Sequence, residues 1–202
     1  MTPGYCDSIA HALAFAAKHG VRPLPRGRAP TWPTRPANVA VILARHGADE
    51  PTIVAGVLCP VLNESSPARR QDLHAKVRGK FGETVDVVLR QAVEPRYDAR
   101  GKERTWEAYK LDHLASLALA EPRALEAAAA QEIYQCGALI TDVRRLGAEY
   151  LSGYAQGGGA AVVRWFHEMV DALERHPTGP RPGMIVELRH LAGNLGALLE
   201  RG

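Results

Sequence analysis

Residues 51–64 read PTIVAGVLCPVLNE, and no charge interrupts the stretch before Glu64. Ile53, Val57, Leu58 and Val61 recur at the spacing of one helix face. So short and apolar a segment predicts a helix from Pro51 to about Leu62, inside a core rather than lying on a surface. The stretch just upstream, Ala37 to His46, repeats the pattern with Val39, Ile42 and Leu43. These two neighbours set the expectation of helix packed on helix.

Working outward, Ile9, Leu13 and Ala16 mark a first helix with Asp7 as N-cap and Gly20 as its end. Between it and Ala37, Val21 to Pro36 carries five prolines and four arginines and reads as an irregular loop, because proline removes backbone donors and fixes φ. Downstream, Ser66-Pro67 opens a helix through Leu73 and Val77 to Phe81-Gly82. Val85, Val88 and Leu89 continue on another, and Glu94 to Lys102 is a polar loop. The second half predicts long helices over 103–120, 122 to about 155, 162–174 and 184–201. Gly157-Gly158-Gly159 and a proline and glycine linker from His176 to Gly183 separate the last three. The run Ala127 to Ala130 favours a helix and, being small, close helix packing. No segment sustains the alternation of a half-buried strand, so the chain reads as all-α, a bundle of roughly eight to ten helices in a single domain over 1–202.

Composition narrows the function classes. The 25 Lys and Arg are interspersed among 22 Asp and Glu, for a net charge of +3 and a pI near 8.9. Without a dense cationic run, nucleic acid is not expected as a partner, and charge at an arginine-rich spot favours at most a small anion. Cys6, Cys59 and Cys136 are odd in number and far apart, as in a reducing cytosol. No window approaches the roughly 18–20 apolar residues that cross a bilayer, so the expectation is a cytoplasmic protein without a membrane partner.

No phosphate loop, nucleophile elbow, Cys-x-x-Cys or zinc-chelating histidine pair occurs. The eight histidines are scattered and read as surface or helix-end residues. Asp112-His113 is the one adjacent acid and histidine pair, but consecutive helical residues point about 100° apart.

The order of segments nevertheless resembles a known family. Ala14-Phe15-Ala16-Ala17-Lys18-His19-Gly20, an arginine-bearing loop, and Arg35-Pro36 leading into Val39-Ala40-Val41-Ile42-Leu43 are similar to the start of the RelA/SpoT-type HD-domain alarmone (guanosine tetraphosphate) hydrolases. Thr52 to Leu58 resembles the helix that leads to their His-Asp doublet, and Lys80-Phe81-Gly82-Glu83-Thr84-Val85 their Phe-Gly-x-x-Val signature. Ala130-Gln131-Glu132-Ile133-Tyr134-Gln135 falls where they have Ala-Asp-Lys-x-x-Asn, followed by Asp142-Val143-Arg144-Arg145-Leu146-Gly147. The resemblance spans about residues 9–175, leaving 184–201 as a C-terminal helix.

In that family a His-Pro histidine, the His-Asp doublet and the aspartate of Ala-Asp-Lys hold a divalent metal, typically Mn2+, that activates water. The resemblance puts Arg35-Pro36, Cys59-Pro60 and Gln131 at those positions, and Asn63-Glu64 at the Glu-Asp pair that assists the water. An arginine repels a divalent ion and is suited to pair with Glu64 or an anion instead. Pro60 offers no donor atom, and Cys59 and Gln131 are a soft and a weak ligand. No cofactor is therefore expected. A shifted register would bring Asp142 into the slot of Gln131. Arg22, Arg26, Arg28 and Trp32 fall where the family's loop approaches its guanine nucleotide, with Lys102, Arg104 and Lys110 as lesser cationic candidates.

The leading expectation is a catalytically inactive relative of the alarmone hydrolases that senses a guanine nucleotide or binds a protein partner. The alternative is an active Mn2+-dependent phosphohydrolase with a rearranged site built on Glu64, Asp112, His113 and Asp142. A third reading is a helical domain with no ligand, in which Leu188, Leu191, Leu195 and Leu198 form either a homo-oligomer contact or part of the domain's own core.

Overall fold

The chain builds nine α-helices among the described residues, which in this computed structural model are 5–20, 34–98, 100–153, 155 and 157–200. They are α1 (Asp7–His19), α2 (Thr34–Arg45), α3 (Glu50–Asn63), α4 (Pro67–Phe81), α5 (Glu83–Ala92), α6 (Trp106–Leu117), α7 (Pro122–Leu146), α8 (Gly158–Arg175) and α9 (Pro182–Leu199). A short 3-10 turn, Ala148–Leu151, follows α7. The all-α bundle expected from the apolar periodicity is what forms.

Local chemistry sets the boundaries. Asp49 caps α3, accepting from the Thr52 amide at 3.1 Å, and Thr105 caps α6, accepting from Ala108 at 3.3 Å. Proline stands in the first turn of α3, α4, α7 and α9, where its missing amide hydrogen costs nothing. The periodicity that predicts α7 as far as residue 155 is overridden at Gly147, whose φ of 87° ends the helix at Leu146. Likewise α8 starts at Gly158, four residues ahead of its expected start.

α3 lies at the centre. Every residue from Thr52 to Asn63 is buried, and α1, α2, α5 and α7 surround it. α7 is the second axis, packed on α2, α3, α5 and α9, with Ala127–Ala130 all buried. α8 and α9 close the far side, and Met184, Leu188, Ala192 and Leu195 are buried while Leu191 and Leu198 pack on the core. The leucine stripe of the C-terminal helix thus serves the domain's own interior.

Two histidines depart from the expected surface placement. His74 is buried and donates from Nδ1 to Asp86 at 2.5 Å, and His113 is buried on α6. Asp86, wholly inside, also accepts from Arg78 and Arg90 at 2.9 and 3.0 Å and so pins α4 to α5. Burial alone would raise the Asp86 carboxyl, but these donors hold its pKa below the ordinary carboxylate value.

The closest approach in the core is at Gly56 of α3. A Cβ there would sit 2.4 Å from Leu43 Cδ1 and 3.1 Å from Val39 Cγ1, both on α2. Leu43 is fully buried and has little room to yield. Gly56→Ala is therefore expected to lower stability by about 1–3 kcal/mol in urea denaturation through overpacking. In a Leu43→Ala background the same change costs less, since the colliding methyl is gone. Equal cost in both backgrounds rejects this account of the contact.

Candidate functional site

Pro60 lies inside α3 and has no amide hydrogen, so the Gly56 carbonyl one turn earlier lacks its helical donor. Gln131 of α7 supplies the replacement, donating from Nε2 to the Gly56 oxygen at 2.8 Å. Its Oε1 accepts from Arg35 Nε at 3.1 Å, and Arg35 Nη1 lies 3.9 Å from Glu64 Oε1 at the end of α3. Four positions distant in sequence, Pro60, Gln131, Arg35 and Glu64, thereby form one chain of interactions. The pairing of Arg35 with Glu64 is the one expected from their chemistry.

Cys59 and Asn63 stand beside this chain. Asn63 donates to Cys59 Sγ at 3.7 Å and accepts the Glu94 amide at 2.8 Å, which fastens the segment after α5 to the end of α3. Burial pushes the Cys59 thiol up to about 12, so at neutral pH it is a protonated thiol that donates to Ala92 O at 3.7 Å, not a thiolate ligand. Arg70 and Ser65 satisfy the last carbonyls of α3, at Leu62 and Val61.

A second, largely buried network adjoins the first. Lys110 of α6 donates to Glu94 at 2.6 Å and to Glu132 of α7 at 3.0 Å. Glu132 also accepts the Trp165 indole at 3.0 Å, and Glu94 accepts Arg96 at 2.7 Å. The Lys110 ammonium lies 4.1 Å from the Trp165 ring centroid and 5.9 Å from that of Trp106, while Arg96 sits 5.3 Å over Tyr109. Burial pulls the ammonium of Lys110 down, but Glu132 and Glu94 outweigh it and raise its pKa. Burial pushes Glu94 up, yet Lys110 and then Arg96 hold it well below the usual carboxylate range. The two networks meet at a cavity of about 40 Å3 whose polar walls are Arg35, Glu94, Arg96, Lys110, Glu132 and Gln135, with Trp106 and Trp165 among its aromatic ones. Arg35, Arg96 and Lys110 are offset by Glu64, Glu94 and Glu132, so the formal charge of the cluster is balanced.

Of the sequence-derived positions, Arg35, Pro60, Glu64 and Gln131 come together, with Cys59 and Asn63 packed alongside. Arg22, Arg26, Arg28 and Trp32 lie outside the described residues. Asp112 pairs with Arg104 at 2.6 Å on the surface, while His113 turns inward, where its Nδ1 finds no partner and burial lowers its pKa. Asp142 pairs with Arg145 at 3.5 Å in the last turn of α7. Among the described residues no three His, Cys, Asp or Glu side chains come together in a way that holds a metal ion, and no helix is long and apolar enough to cross a membrane.

Sequence reasoning missed the weight of Glu94, Arg96, Lys110, Glu132, Trp106 and Trp165. One signal was present: Lys110 shares its helix face with Trp106, His113 and Leu117, so a lysine occupies a core-facing position and demands internal partners.

No family model and no curated protein matches the chain. Among solved structures, the crystal structure of lmo0812 from Listeria monocytogenes EGD-e is similar, with a TM-score of 0.63 and 19% identity over 82% of this chain and 99% of that one. At that identity the likeness is one of fold.

Two expected outcomes follow from this geometry. Gln131→Leu strands the Gly56 carbonyl and the Arg35 guanidinium and lowers stability by about 1–3 kcal/mol, whereas in a Pro60→Ala background, where the helical donor is restored, the penalty shrinks. Additive costs in denaturant titrations contradict the coupling. Lys110→Met leaves Glu94 and Glu132 buried without their ammonium and costs about 3–5 kcal/mol. The lowered pKa of Glu94 means its stabilisation is present above the ordinary value of 4.5 and is lost as pH falls through the folded value. Losing Lys110 raises that folded value, so acid unfolding of the variant begins at higher pH than in the parent; coincident acid limbs speak against the assignment.

Proposed function

We propose that the protein is a catalytically inactive relative of the metal-dependent alarmone hydrolases, kept as a nucleotide-sensing or protein-interaction module. One observation carries this reading: the residues standing at the family's metal and water-activating positions converge in space and satisfy one another. Gln131 spans from the Gly56 carbonyl to Arg35, and Arg35 faces Glu64, so a guanidinium lies among the groups that a divalent ion would need. The donor set does not suit such an ion. Pro60 contributes no ligand atom, Cys59 is a soft ligand type whose sulfur is turned to the Ala92 carbonyl, and the Gln131 amide oxygen, a weak neutral ligand, is occupied by Arg35. The adjoining cavity of about 40 Å3 has room for little more than water, well below the roughly 300 Å3 at which small-molecule pockets begin. Binding of a guanine nucleotide therefore rests, in this reading, on Arg22, Arg26, Arg28 and Trp32 ahead of α2.

The expected outcome is that protein purified without chelators contains far less than one manganese per chain by elemental analysis, and that it releases no pyrophosphate from guanosine tetraphosphate. Reinstating the ligand types together, as Arg35→His, Cys59→His, Pro60→Asp and Gln131→Asp, is expected to raise the melting temperature on addition of Mn2+. Stoichiometric manganese in the unaltered protein would falsify the proposal.

A further inference from the structure

Away from this cluster, the facing sides of α1 and α4 leave a groove of about 410 Å3. His11, Phe15, Lys18 and His19 wall it from α1, and Lys76 and Lys80 from α4. The spacing accounts for the convergence, since 11, 15 and 18 share one face of α1 and 76 and 80 lie one turn apart on α4. Among the described residues, every ionisable side chain lining the groove is basic. Two carboxylates pair with lining residues, Asp72 meeting Lys76 at 2.7 Å and Asp7 lying 3.5 Å from His11. His19 senses the resulting field: burial first, then Lys76, Lys18 and Arg69, lower its pKa, and Asp72 opposes them.

Compensation of helix dipoles accounts for Lys18 and Lys80, which stand in the last turns of α1 and α4. Lys76 stands a turn earlier on α4, paired with Asp72. The floor, in contrast, is apolar. The Phe15 ring is held edge-on by Phe81 at 5.8 Å and lies 4.3 Å from the His19 ring. A concave site with cationic walls and an apolar floor matches a ligand that is anionic at one end only.

We propose that this groove binds a small phosphorylated molecule carrying a flat or apolar portion, the ammonium groups of Lys18, Lys76 and Lys80 taking the phosphate and the floor around Phe15 taking the remainder. Ammonium groups are compact point charges suited to phosphate. The volume falls within the roughly 300–1,000 Å3 of small-molecule sites, whereas a polymeric anion calls for a broad basic face that this evenly mixed surface lacks. The site is separate from the Arg35 cluster and stands or falls independently of the function proposed for it.

The test is fluorescence titration of the full chain with 1-naphthyl phosphate as the probe, beside inorganic phosphate and 1-naphthol as its separated halves. Saturable binding is expected with a Kd below about 1 mM, with each half at least roughly tenfold weaker. Lys18→Glu with Lys76→Glu is expected to weaken binding at least about tenfold, and Lys76→Gln alone, at a half-exposed position, to weaken it measurably should the double variant fail to fold. Arg164→Gln, which removes an exposed cation on α8 away from the groove, leaves the affinity unchanged. The proposal is overturned by the absence of saturable binding, by affinity indifferent to the Lys18 and Lys76 changes, or by either half binding as tightly as the whole.

Discussion

A single absent hydrogen organises the centre of this protein. Pro60 sits in the most deeply buried helix of the bundle and cannot donate to the Gly56 carbonyl, which faces α7 rather than water. An unmet carbonyl at that depth costs about 1–3 kcal/mol. Gln131 meets it, and because an amide is both donor and acceptor, its oxygen is left pointing at something that must donate in turn. Arg35 does so, and its positive charge then requires Glu64. Helices α2, α3 and α7 are tied by this relay as much as by their apolar faces. Gly56 serves it twice, presenting the carbonyl and letting α2 approach closely enough for Arg35 to reach α7.

The second network follows another logic. Lys110, Glu94 and Glu132 are withdrawn from water, with Arg96 half-buried beside them, and charges so placed persist only when paired and hydrogen-bonded. Their aromatic surroundings, Trp106 and Trp165, contribute attraction to the cation and exclude solvent that would otherwise weaken the pairs. The outcome is an electrically balanced interior that leaves a cavity of only about 40 Å3. The groove between α1 and α4 is the reverse: concave, open, and lined among the described residues by basic side chains over an apolar floor.

Much of the architecture was legible in the chain because it depends on periodicity. The segment expected over 51–62 is α3 with one residue more at each end, and the alanine run does pack at close quarters. Where periodicity misled, one backbone angle decided the matter: the apolar pattern continues past Leu146, but the positive φ of Gly147 turns the chain. The cluster around Arg35 was partly legible, since the resemblance singled out its members and their charges suggested the pairing of Arg35 with Glu64, but not the bonds of Gln131. The Lys110 network was less so, because its groups come from the segment after α5 and from α6, α7 and α8, and only the helix face that Lys110 shares with Trp106 and Leu117 hinted at it. His74 and His113 were misread for the same reason: burial of a polar group is decided by partners such as Asp86, which local sequence does not reveal.

The relay from Pro60 to Glu64 also bears on how such a sequence changes over time. Its members depend on one another unequally: replacing Gln131 first leaves both Gly56 and Arg35 wanting, whereas restoring an amide at residue 60 only gives the Gly56 carbonyl a second donor. A route that changes Gln131 before Pro60 therefore runs through a less stable intermediate, and one that changes Pro60 first does not. The network thus imposes an order on substitution, with Pro60 the residue free to move first.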